Sequence, residues 1–150
     1  MQGKATIAGH PIHPVLIAFP IAFFPGAVVC DIVSAFNPDP LWPSMTVVLI
    51  GAGIVTALAA ALAGLLDYFT AKMPAAAKSI ATTHMVLALL AVGIFIAAFV
   101  LRYDKPPSLA GYALTALGAL IVLGSGALGG HVAFHYGVGV DDVTVPPSGD

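Results

Sequence analysis

The sequence predicts an all-α integral membrane protein, an antiparallel four-helix bundle with both termini on one side of the bilayer. Three observations predict it. Of its 150 residues 59% are hydrophobic and 8% charged, with a mean hydropathy of +1.02, whereas a soluble domain carries roughly a quarter charged residues. Four stretches reach the ~20 predominantly apolar residues that crossing a bilayer takes. The breaks between them, "NPDPLWP", "AKMPAAAK" and "RYDKPPS", are short and mix proline with polar or charged groups. That is turn chemistry, and links so short make consecutive spans antiparallel neighbours. The length allows a single domain, residues 1–150.

The first span is placed at residues 15–36. Lys4 alone precedes its apolar run, Asp31 interrupts it, and no small-x-small cleavage site follows. It is therefore expected as a retained span and not as a cleaved leader. His10 and His13 each precede a proline, a position that avoids the α region. Both are expected in an extended strap, with Pro14 first in the helix and His13 as its cap. Pro20 and Pro25 are expected to kink the span. The second span is placed at residues 45–69, the third at 80–103 and the fourth at 109–136. Small residues in "GAGIVTALAAALAG" and "GALIVLGSGALGG" allow near backbone contact between spans. No whole-chain repeat is visible. Phe19, Phe23, Phe24, Phe69 and Phe134 are expected as packing, and Trp42 and Tyr136 as interface anchors. Asp31 and Arg102 fall at the same end of the bundle and are expected to form an interfacial ion pair. Lys4, Lys72 and Lys78 on the side of the termini outnumber Arg102 and Lys105 on the other. That margin of one favours cytoplasmic termini in a bacterial inner membrane.

The histidines carry the functional signal. His10 and His13 precede the first span, His84 lies about one turn into the third, and His131 and His135 lie near the end of the fourth. The topology brings all five to the same leaflet, together with Asp67 near the end of the second span. Ionisable residues inside spans are rare and mark sites. At 1.5 Å per residue, His84 and His131 both sit about 6–7 Å into their spans, matched for one ion or one haem iron. His131 and His135, four apart, share a helix face. Asp67 is expected to bond a histidine and fix its tautomer, or else to bond Tyr68, Thr82 or Thr83.

Other chemistry is absent. A net charge of -2 with no basic stripe argues against nucleic acid. Cys30 is the one cysteine, which excludes a disulfide within the chain and iron–sulfur ligation by thiolates. No nucleotide loop, zinc cysteine pair or Ser-His-acid order appears, so no enzymatic activity is assigned.

The opening "GHPIHPVLIAFPIAF", the acid in "GLLDYF", His84 and the closing "LGGHVAFHYGVGVDD" together resemble a family of small bacterial four-span membrane proteins, domain of unknown function 2231. The resemblance runs over nearly the whole chain. Some members are fused to a Rieske-type iron–sulfur domain, which implies redox company, although this chain has no Rieske ligands of its own. Members vary in where the terminal histidine falls, which leaves His135 outside the expected set.

Three functions fit these residues. The first is b-type haem binding for electron transfer, with His84 and His131 as axial ligands, His10 and His13 at the propionates or as alternative ligands, and Gly124, Gly126, Gly129 and Gly130 admitting the macrocycle. The second is a copper, zinc or iron ion held by His10, His13, His84, His131 and Asp67. The third is an accessory subunit of a respiratory or photosynthetic complex. The expected partners are the lipid bilayer, a redox partner or larger complex, and a second copy of the chain.

Overall fold

In the computed structural model, residues 6–7, 10–105 and 107–138 are described. Lys4 and most of the closing "GVGVDD" lie outside them. A two-residue strand β1 (Thr6–Ile7) pairs antiparallel with β2 (His10–Pro11). Four helices follow: α1 (Ile12–Phe36), α2 (Leu41–Thr70), α3 (Ala75–Arg102) and α4 (Leu109–Tyr136). Each contains a window of mean hydropathy between 1.7 and 2.7 and is long enough to cross a membrane. The all-α bundle expected from composition is what forms. The helices start up to five residues earlier than expected, because proline and small residues in the breaks are tolerated in a first helical turn.

The ends are set by local chemistry. Asp39 Oδ1 accepts the Leu41 amide at 2.9 Å as α2 begins. Ser108 caps α4 by accepting the Gly111 amide at 3.2 Å. Gly137 ends α4 with φ of 64°, a left-handed conformation that glycine adopts without steric cost. Pro20 and Pro25 lie inside one continuous α1.

The tightest pairings are α1 with α2 and α3 with α4, while α2–α3 and α1–α4 pack more loosely. The bundle is thus two hairpins laid together. Its centre is Phe24 stacked on Phe95, with ring centroids 3.7 Å apart, surrounded by Ala27, Ile50, Ala98 and Ala119. Helices in lipid gain nothing from hiding apolar area from water, so they associate through close packing of small residues. Of the expected packing aromatics, only Phe24 is core. Phe19, Phe69 and Phe134 are 47%, 73% and 91% exposed and face outward, where lipid is as good a solvent as the interior.

Asp31 and Arg102 do pair, but as buried groups and not at an open interface. They are 6% and 4% exposed. The guanidinium donates through both Nη atoms, to Oδ1 at 2.7 Å and Oδ2 at 2.6 Å. Thr46 and Thr115, both fully buried, complete the shell with one hydrogen bond each to the carboxylate and the guanidinium.

Candidate functional site

His13 stands in the first turn of α1 and not in an extended strap. Amides in a first turn have no intrahelical partner, so Pro14 forfeits nothing there, and the pre-proline bias is outweighed by a side-chain bond. The imidazole reaches α2, with Nδ1 2.8 Å from the Ala60 carbonyl oxygen. A carbonyl only accepts, so Nδ1 carries the proton and Nε2 of the neutral ring is a bare lone pair. The Ala60 carbonyl already serves the helix amide four residues on, and that residue is Gly64. A Cβ at Gly64 would lie 2.8 Å from His13 Cε1. Glycine there uncovers the carbonyl's second lone pair and gives the ring its seat.

His84 is held the same way between α3 and α4. Its Nδ1 lies 2.7 Å from the Ser125 carbonyl oxygen, and Gly129, four residues on, seats the ring. A Cβ there would lie 2.9 Å from His84 Cε1. Ser125 adds a brace: its hydroxyl donates to the His84 carbonyl at 3.0 Å, and its oxygen lies 3.0 Å from Nδ1. The proton on Nδ1 again leaves Nε2 bare. His13 and His84 thus lie toward the same end of α1 and α3, each bonded to a backbone carbonyl of the helix that follows. His84 is nine residues into α3, about 13 Å, deeper than expected because α3 starts at Ala75.

The other expected site residues lie elsewhere. His131 is exposed and stacks on His135, with centroids 4.8 Å apart and planes 11° off parallel, and Tyr136 stands edge-on to both rings. Gly129 faces His84, so His131, two residues on, points about 200° around the helix. His84 and His131 therefore do not face each other across the α3–α4 contact. His10 is exposed on β2. Asp67 is half-buried near the end of α2. Thr82 is taken by the Tyr68 hydroxyl at 2.9 Å. Among the described residues no three of His, Cys, Asp or Glu come together to hold a metal ion, so the set His10, His13, His84, His131 and Asp67 does not converge. Two surface concavities lie at the opposite end, beside Tyr103.

Sequence reasoning did not identify Gly64, Ala60 or Ser125 as site residues. Their contribution is a backbone carbonyl or a missing Cβ, and neither has a signature until the facing helix is known. Gly129 was expected to make room for a macrocycle; the His84 ring lies against it. Gly124 and Gly126 do have open space where a Cβ would stand.

A family described as predicted membrane protein, domain of unknown function 2231 (DUF2231), matches residues 9–142. No curated protein and no solved structure matches the chain.

Proposed function

This chain belongs to the domain of unknown function 2231 family of membrane proteins, and for it we propose binding of one b-type haem near one membrane face, with His13 and His84 as axial ligands and electron transfer as its role. The observation that carries this reading is the matched state of two imidazoles toward the same end of the bundle. Each is fixed by a backbone carbonyl as the Nδ1–H tautomer, which orients the ring and raises the basicity of the Nε2 lone pair.

Ligand count favours haem over a bare ion. A zinc or copper site takes three or four protein donors, and no third donor of that kind joins this pair among the described residues. Haem iron brings four nitrogens of its own and asks the protein for two. A haem held by both histidines would keep no position open for a substrate or oxygen, which favours electron exchange as the role. The slight lysine excess on the histidine side favours a cytoplasmic position for this face and for the redox partner that would meet it.

The test is the absorption spectrum of detergent-purified protein from haem-replete cells, oxidised and then reduced. A Soret band with sharp α and β bands on reduction is expected. His13→Ala and His84→Ala should each convert the low-spin spectrum to high-spin or lose the haem, and His135→Ala should leave it unchanged. A featureless spectrum from the unaltered protein would overturn the reading.

A further inference from the structure

Two pairs of residues meet between the two hairpins and a third stands in the same relation, the members of every pair being 71 positions apart. His13 and His84 each bond a carbonyl of the helix that follows. Phe24 and Phe95 stack with planes 5° off parallel. Asp31 and Arg102 form the buried ion pair. The positions beneath them on the second helix of each hairpin are 65 apart. Gly53 seats Phe24 as Gly118 seats Phe95, with a Cβ at either falling within 2.8 Å of the ring. Gly64 seats His13 as Gly129 seats His84, and Ala60 and Ser125 provide the two carbonyls.

A residue that packs against its own equivalent lies beside a two-fold axis. Here Phe24–Phe95 and Asp31–Arg102 are such pairs, and His13 with His84 extends the series along α1 and α3, from His13 to Asp31, a rise of about 27 Å. That is close to the thickness of a bilayer's hydrocarbon core, so the axis runs along the membrane normal. We infer that the chain is a duplicated helical hairpin, α1–α2 and α3–α4, and that its imidazole site is one two-fold site assembled from equivalent halves, each supplying a histidine, a seating glycine and a carbonyl. The ligand it fits presents two equivalent coordination positions on opposite sides. A planar macrocycle with a six-coordinate metal has that form. The identity of this ligand rests on the haem reading, whereas the two-fold site does not.

Two departures from symmetry bear on these pairs. Ser125 stands where the other half has Ala60, so a hydroxyl braces His84 but not His13. Asp31 stands opposite Arg102, which turns what would be a like-charge contact in two identical hairpins into an attraction. That change ties each hairpin to the other and not to a second copy of itself.

The test uses the full chain with 15N-labelled histidine in lipid nanodiscs, with no haem added. Two of the five imidazoles are expected to show the fixed Nδ1–H tautomer. His13→Ala and His84→Ala should each remove one of these signals and leave the other. Ser125→Ala, a mild change, should move the His84 signal alone, and Gly64→Ala the His13 signal alone. A single fixed tautomer, or a glycine change that disturbs the wrong ring, would overturn the two-fold site. Two fixed tautomers in a protein that takes up no haem would leave the two-fold site standing and remove the haem reading.

Discussion

At the residue scale, the buried ion pair is the costliest feature of the molecule. A carboxylate and a guanidinium are stable in an apolar bundle only while they neutralise each other and their remaining hydrogen-bonding capacity is met. Bidentate geometry and two threonines do most of this, and Arg102 Nε alone is left without a partner. Asp31→Ala leaves the guanidinium buried and uncompensated, and should cost about 3–5 kcal/mol in reversible unfolding in mixed micelles. Adding Arg102→Met removes the orphaned charge and should restore most of that loss. A double variant no more stable than Asp31→Ala would show that the pair does not act as a unit.

At the element scale, packing within each hairpin depends on missing Cβ atoms. Gly53 lies on α2 where a Cβ would stand 2.4 Å from Phe24 Cε1, and Gly118 on α4 where it would stand 2.8 Å from Phe95. Alanine at either site has to push a stacked ring aside in the packed centre, and should cost about 1–3 kcal/mol. Gly93 on α3 and Gly124 on α4 face open space instead. Alanine there should be neutral or gain up to about 1 kcal/mol of helix propensity. Thermal melts of the four variants in one detergent separate the two classes. Equal melting temperatures across all four would sink the distinction.

At the scale of the whole molecule, four antiparallel spans place the α1–α2 and α3–α4 turns on one side of the membrane and the α2–α3 turn on the other. Cys30 is buried and should stay silent to a membrane-impermeant maleimide. Asp39→Cys and Lys105→Cys are expected to react from the same side, and Ala76→Cys from the opposite one. With cytoplasmic termini, the first two label in intact cells and the third only after lysis. The reverse pattern would move the histidine face, and any redox partner, to the other compartment.

The helices were legible from sequence because length, hydropathy and proline-rich breaks are local properties, and lipid enforces them residue by residue. The side of the membrane that gathers the histidines was legible too, since topology alone delivers His13 and His84 to one leaflet. Which histidines face each other was not. Matching depth suggested His84 and His131, but the angle around α4 decides the partner, and that angle is set by where Gly129 meets α3. The duplication was hidden for a related reason. In lipid one apolar residue serves as well as another, so equivalent positions of the two hairpins need not keep their identity. Asp31 answers to Arg102, Thr46 to Gly111 and Ala60 to Ser125. The sequence by itself determined that the chain spans the membrane four times and brings imidazoles to one face. Only the tertiary structure decided that two of them form a pair on an axis, because that depends on glycines whose effect is to let another helix come close.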